Sequence, residues 1–579
     1  MCKPERETMT EQSNRSSAIN TSSELADITR ELAGNQKLSV AVVGGGVAGS
    51  TISLRLSEMG VNVTLIEKGP GLVNGPPMCH LHAGGNLYRE ISDQQCLKLL
   101  KQSIETVRIY PTCINVRPTV ITVPTQDNGE PLDLLPRLRL LKARYHELVA
   151  ENPRNKVLGE PNNYYRLYER AELEQLALRP TPTAPNCNDD WMVPIAKEVD
   201  LNRLKFPLVL VQEYGLSSLR IAATAELTLG ALDNCDLRTH TELLSMKEKS
   251  VPTTTDCTTL VRTNSESESD SDTDNEGESG WELSVRNVQT GQTEVLNVDY
   301  VVNASGYRTG AMDDMSGFKR ERFVEFKAAY VTKWNGNGAV WPEVIFHGVR
   351  GTPKGMAQIT PYPDGHYQLH GMTKNITLFD GGLVASTDES AQPQLPASLE
   401  SKITTGWERE ELIERADSSI GHLAGFIPSF TNATWGGKPL YGAQQIPGKD
   451  ASMRAASVSF EKKRYARAEI VKASSALTAA NEIVEELRQL RLLDSKCSEL
   501  DCVKTLEERF AKCLGFNGLT IEDKAVELAI NRNYPAAIAR PYSYPSVAKK
   551  IGAKVVASSS CTTAQLAVNL AAVRMGEAC

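Results

Sequence analysis

The chain of 579 residues is long enough for about three domains of ~100–200 residues or one large discontinuous fold, and with 41% hydrophobic and 23% charged residues it is neither collagenous nor wholly disordered. Lys and Arg number 63 against 71 Asp and Glu, a net charge of −8 that argues against nucleic-acid binding through a global positive field. The 12 cysteines are sparse and irregularly spaced, which suits free thiols in a reducing compartment, the cytoplasm, better than a disulfide framework.

Residues 1–37 are polar, lack the apolar core of a secretory signal, and read as a disordered leader. Organisation begins at Leu38, where a buried strand over 40–43, a glycine turn, a helix over 48–59 and a second strand over 61–67 form a βαβ unit. A turn-rich stretch and a largely helical region over 93–178 follow, and the Pro-, Thr- and Asn-rich residues 179–196 read as a loop. Next come a helix over 220–232, a strand over 237–244, and strand-like runs at 258–262 and 281–288. Those two runs flank an acidic stretch, 264–279, which repels itself and is expected to be a solvated loop. Residues 298–306 read as an apolar strand ending in small residues, 323–383 alternate as a separate antiparallel sheet, 461–493 turn helical, and the remainder is a helical extension. The charge-free run between Lys554 and Arg574 contains Ser, Thr, Gln and Asn and is too polar for a bilayer span, which needs ~20 apolar residues.

The chemistry is most legible at Gly44-x-Gly46-x-x-Gly49, which follows a strand and opens a helix, with Glu67 closing the next strand. In such a unit the first glycine permits the tight turn and the second admits a pyrophosphate close to the backbone. The third lets helix and strand pack, and the terminal acid accepts from ribose hydroxyls. A carboxylate at position 67 disfavours the 2′-phosphate of NADP, and no second fingerprint appears downstream, so NAD and FAD remain. Cys79-His80-Leu81-His82 lacks a second ligand cluster and is not read as a metal site. GAQQIPGKD has the wrong glycine spacing for a phosphate loop, with Asp450 in place of the Ser or Thr.

Four places in chain order resemble the FAD-dependent oxidoreductases of the D-amino-acid oxidase superfamily: the glycine fingerprint, His82-Ala83-Gly84-Gly85, Val302-Asn303-Ala304-Ser305-Gly306, and Trp435-Gly436-Gly437-Lys438-Pro439 followed by Pro447-Gly448. The last is one residue short of the family pattern, and Lys438 replaces an arginine, so a planar bidentate donor is lost there. Lys472-Ala473-Ser474-Ser475 stands where the family has a glycine-rich loop.

The resemblance implies an α/β fold in which a Rossmann-like FAD-binding domain carries an inserted α+β substrate domain built on an antiparallel sheet. The FAD-binding parts are 38–125, 201–310 and 431–493. The substrate domain is a mostly helical and loop part, 126–200, and the sheet itself, 311–430, while 494–579 is a helical C-terminal extension. It implies FAD as cofactor, with Gly44, Gly46, Gly49, Glu67, His82, Ala83, Gly84, Gly85, Ala304, Gly306, Ser474 and Ser475 around it, and no metal. His82 is also where some relatives bond the flavin covalently. Arg350 is expected to anchor an anionic substrate group and His370 to act as base or orient the donor, with Tyr362 and His366 as further candidates. The implied reaction is oxidation of a small amine or 2-hydroxy acid by hydride transfer to flavin, with O2, a quinone or an electron-transfer protein as acceptor. A flavin monooxygenase or halogenase, and a nonenzymatic binding protein retaining the FAD fold, are the alternatives.

Overall fold

Val40, Ala41, Val42 and Val43 are all buried, as are Tyr300 to Asn303, because their strands are parallel neighbours in the middle of a sheet covered on both faces. The computed structural model describes residues 38–77, 91–249, 280–456, 458–461, 464–493 and 518–542. The central sheet has six strands in the order Val458–Glu461, Tyr465–Ala468, Tyr300–Asn303, Ser39–Val43, Asn62–Ile66 and Cys235–Arg238, parallel except for the first pair. The helix Val47–Glu58 packs against the helices Ser218–Leu229 and Ala476–Gln489, and Arg55 donates from Nε to Asn481 Oδ1 at 3.0 Å across the second contact.

A second sheet of ten strands is built around the long strand Arg322–Lys333, which pairs with Leu383–Ala385, His366–Gly371, Thr434–Trp435 and Leu440–Pro447. It is antiparallel apart from one parallel pair, Glu343–Phe346 beside Thr119–Pro124. One of its faces is apolar. Tyr330, Leu369, Ile359, Val344 and Phe346 lie there under the helices Asn188–Glu198 and Arg409–Ala424, with Phe346 stacked on Phe426 at 4.4 Å. A three-stranded antiparallel sheet, Thr293–Val298, Gly280–Asn287 and Thr241–Lys249, and a short antiparallel pair, Ile114–Asn115 with Gly215–Leu216, complete the strands among the described residues.

The structure corrects the sequence expectations at four points. The stretch 93–178 is not largely helical, since the strands Ile114–Asn115, Thr119–Pro124 and Tyr165–Tyr168 interrupt it. Strands Thr119–Pro124 and Leu204–Val211, allotted from sequence to nucleotide-binding segments, lie in the ten-stranded sheet. Residues 179–196 are not simply a loop. Asn188–Glu198 is a helix despite Pro194, because Met192, Val193, Ile195 and Ala196 bury one side of it and Asp189 and Asp190 favour its N-terminal turn. Residues 461–493 begin as strand, at Tyr465–Ala468, and become helix only at Ala476. The expected leader 1–37, the run at 258–262 and the acidic stretch 264–279 lie outside the described residues, and of the C-terminal extension residues 518–542 are described. No helix among the described residues is long and apolar enough to cross a membrane.

Candidate dinucleotide and substrate sites

The glycine turn meets three different demands at its three glycines. Gly44 has φ +102° and donates to Ile66 O at 2.8 Å, and a Cβ there would stand 2.4 Å from Ala304 O. A Cβ on Gly49 would stand 1.8 Å from Gly44 O, so only glycine lets the helix approach the strand. At Gly46 a Cβ would meet nothing within 4 Å: the space beside it is open. This residue is the N-cap of the helix, with no side-chain cap and no acidic residue in the first turn. The first amides and the positive end of the helix dipole are therefore left uncapped beside that open space, an arrangement that favours an anionic group.

Glu67 is placed at the rim of that space. Its Oε2 accepts from Gly45 N–H at 2.6 Å, and its Oε1 accepts from Gly69 N–H at 2.6 Å and from Asn74 Nδ2 at 3.3 Å. Charge-assisted bonds of this kind fix the carboxylate beside the glycine turn. The loop after it folds back, with Val73 N–H donating to Gly45 O at 2.7 Å.

On the other side of the turn, Ala304 N–H donates to Val43 O at 2.8 Å, which sets the backbone of Ala304 and Ser305 against Gly44. Asn303 Nδ2 donates to Thr309 O at 2.9 Å and Tyr465 Oη at 2.7 Å, so its part is to hold the strand end. Ser474 and Ser475 are buried at the start of the helix that packs on Val47–Glu58. The Ser475 hydroxyl donates to Gln102 Oε1 at 2.7 Å, and Ser474 O accepts from Thr106 Oγ1 at 3.0 Å, contacts that bind this helix start to the helix Asp93–Ile109. His82, Ala83, Gly84 and Gly85 lie outside the described residues.

The second face of the ten-stranded sheet is polar and yet largely buried. Register pairs Val331 with Gln368 and Gln368 with Thr360. Alternation then puts Glu325, Lys327, His370, Gln358 and Tyr362 on the same side, opposite the apolar core. Gln358 Nε2 donates to Glu343 Oε1 at 2.6 Å, and Arg117 Nη1 lies 2.5 Å from Glu343 Oε2. Tyr362 Oη donates to Gln368 Oε1 at 3.1 Å. This face meets the nucleotide-binding side of the molecule. Gly442, paired with Lys327, would with a Cβ stand 3.0 Å from Pro76, just beyond the Glu67 loop.

The charged group on that face centres on Glu325. Lys327 Nζ lies 3.0 Å from its Oε2, Gln444 Nε2 donates to the same oxygen at 3.2 Å, and Arg350 Nη2 pairs with Oε1. Arg350 thus joins the face through an ion pair to Glu325. Burial alone would raise the Glu325 pKa, but Lys327 and Arg350 outweigh it and hold the carboxyl below its ordinary value. Burial pushes Lys327 down to about 8; Glu325 opposes the fall, and Arg350 and Arg454 add to it. The loop bearing Arg454 is anchored by its backbone N–H to Gln95 Oε1 at 3.0 Å, at the start of the helix Asp93–Ile109.

Sequence reasoning named Arg350, His370, Tyr362 and His366 but missed Glu325, Lys327 and Arg454. A signal was present in Phe323-Val324-Glu325-Phe326-Lys327-Ala328, where two opposite charges stand two apart in an otherwise apolar strand. Lys438 is drawn elsewhere, its Nζ donating to Arg532 O at 3.3 Å and lying 4.9 Å from the Tyr534 ring centre. Among the described residues no group of three or more His, Cys, Asp or Glu is arranged to hold a metal ion.

A family model described as an NAD(P)-binding Rossmann-like domain matches residues 42–75. A comparison with curated proteins gave no match. Among solved structures, the chain is similar to the glycerol-3-phosphate dehydrogenase from Bacillus halodurans complexed with FAD, with TM-score 0.47 and 11% identity over 89% of this chain and 83% of that one. It is similar to glycine oxidase from Geobacillus kaustophilus, with TM-score 0.44 and 13% identity over 79% of this chain and 96% of that one. It is similar also to the L-amino acid deaminase from Proteus vulgaris, with TM-score 0.47 and 14% identity over 78% and 94%.

Proposed function

We propose that this chain is an FAD-dependent oxidoreductase that oxidises a small amine or 2-hydroxy acid, with the cofactor at the glycine turn and the substrate at the polar face of the ten-stranded sheet. The observation that carries the reading is the closure of that face, with Lys327, Glu325 and Arg350 on it, against the loop following Glu67. A buried polar sheet face is costly unless its groups are paired or used, and here three cations surround one carboxylate.

The residues present fit the cofactor: the open space at Gly46, the uncapped helix start and the Glu67 carboxylate match a diphosphate and a ribose. Gly44, Gly46, Gly49 and Glu67 would hold the nucleotide half, Ala304 and Gly306 would flank it, and Ser474 and Ser475 would set the helix start behind it. His82, Ala83, Gly84 and Gly85 are assigned to the flavin side from sequence alone. Bound FAD supplies a two-electron acceptor for a hydride from the carbon bearing nitrogen or oxygen. The chain's own work is then to bind and orient. Arg350 and Arg454 attract the anionic group of the substrate, His370 orients the donor, and Lys327, unprotonated above about pH 8, accepts the proton from the substrate nitrogen or oxygen. O2, a quinone or an electron-transfer protein removes the electrons. The free thiols Cys96, Cys113, Cys187 and Cys235 suit a cytoplasmic setting.

An absorption spectrum of the purified protein, followed by anaerobic addition of amino acids, N-methyl amino acids and 2-hydroxy acids in turn, tests this. Bands near ~370 and ~450 nm that bleach with one of these classes are the expected outcome. A colourless protein that cannot be reconstituted with FAD would overturn the reading in favour of a binding protein, and colour remaining in an acid-precipitated pellet would place a covalent bond, with His82 the first residue to replace.

A further inference from the structure

The C-terminal segment reaches the dinucleotide site. Its helix Gly518–Asn531 packs along Ser218–Leu229, and the residue after it, Arg532, donates from Nη1 to Val73 O and from Nη2 to Leu72 O, both at 2.8 Å. Val73 lies 459 positions earlier in the chain. Glu226 closes the same arrangement, accepting from Leu72 N–H at 2.8 Å and lying 3.9 Å from Arg532. The planar guanidinium thus takes two successive carbonyls as a fork, a task a lysine performs poorly.

What the fork holds is strained. Val73 has φ +50°, a left-handed conformation that a β-branched side chain avoids and that persists only where surroundings impose it. That conformation lets Val73 N–H reach Gly45 O at 2.7 Å and brings Asn74 Nδ2 onto Glu67 Oε1 at 3.3 Å. The loop thereby braces both the glycine turn and the ribose acid. From the other side the segment is fastened just before the strand Glu343–Phe346, where Tyr542 Oη donates to Trp341 O at 3.0 Å, and to Arg220, whose Nη1 donates to Ala539 O at 2.8 Å.

We propose that Arg532 is a positioning residue of the dinucleotide site: by clamping the Leu72 and Val73 carbonyls it maintains the strained turn that sets Glu67 and Gly45 for the ribose and diphosphate, so that the C-terminal extension completes the cofactor site. The inference rests on the cofactor reading above and assigns to it a residue that the glycine fingerprint does not contain.

The test uses full-length protein freed of cofactor, with R532A, R532K, V73G and the double variant R532A/V73G, each titrated with FAD by flavin fluorescence and examined without FAD by hydrogen exchange at residues 71–75. Loss of a charge-assisted fork corresponds to about a tenfold fall in FAD affinity for R532A, with a smaller fall for R532K. Exchange at Val73 quickens in both. Because glycine adopts φ +50° without strain, V73G restores most of the affinity in the R532A background, a rescue that a merely structural role for Arg532 would not produce. Unchanged FAD affinity and unchanged Val73 exchange in R532A overturn the proposal; should R532A fail to fold, R532K behaving as wild type in both measurements overturns it equally. If the wild-type chain binds no FAD, the cofactor reading falls while the clamp is still decided by exchange. Slow exchange at Val73 in wild type and fast in R532K supports it, and equal rates reject it.

Discussion

Lys327 shows how a single residue acquires chemistry from its position. Its ammonium is half-buried on a sheet face, 18% exposed, beside Glu325 and within reach of the charges of Arg350 and Arg454. The folded pKa of about 8 lies below the ordinary 10.5, so between those values the unfolded chain binds the extra proton and stability rises with pH. K327M is expected to remove that rise, measured by denaturant unfolding at several pH values. If the neutral amine accepts the substrate proton, kcat/KM rises through an inflection near pH 8 that K327M abolishes. E325Q removes the one charge that opposes the fall in the Lys327 pKa, and the inflection should move to lower pH. A pH profile that stays flat in the wild-type enzyme would remove Lys327 from the proton transfer.

Between elements, the glycine turn and the helix it opens separate packing from function within six residues. G49A would drive a methyl into Gly44 O, where the built contact is 1.8 Å, and should destabilise the fold by about 2 kcal/mol or more, read as a lower Tm. G46A meets nothing within 4 Å and should leave Tm nearly unchanged while lowering FAD affinity at least about tenfold, because the methyl fills the space the diphosphate needs. The misread elements have a related cause. Thr119–Pro124 carries β-branched residues and is wholly buried, yet it is only six residues long between two helices, too short for periodicity to distinguish. Asn188–Glu198 carries Pro194 and begins among turn-forming residues, and its helicity comes from the sheet it covers rather than from its own composition.

Across the whole molecule, a buried ionic network joins the two large sheets. Arg322, at the start of the long strand, lies 2.5 Å from Asp313, which also meets Arg467 of the six-stranded sheet at 2.5 Å. Glu469 pairs with Arg320 at 2.6 Å and with Arg322 at 3.3 Å. Asp313, Arg322 and Arg467 are almost fully removed from water, so deleting one partner leaves charge uncompensated. D313N should therefore lower stability by about 3 kcal/mol, measured by denaturant unfolding. A loss no larger than that of an exposed substitution would show that the network relaxes.

The sequence by itself determined the βαβ unit, the close backbone approaches at Gly44 and Gly49, and the place of Glu67 beside the glycine turn, because these features are local. A turn at positive φ, a helix start and a close approach of two backbones are all specified within about 30 residues, a span over which spacing alone carries geometry. The paired strands EVIFHGV, MAQITPY and HYQLHGM were legible for the same reason, through alternation. Only the tertiary structure decided that Glu325 and Lys327 meet Arg350, that the polar sheet face closes on the Glu67 loop, and that Arg532 fastens Leu72 and Val73. Each of these depends on strands and loops that are distant in the chain being brought together by burial of the opposite, apolar faces, and no local pattern records which partner a buried charge will meet.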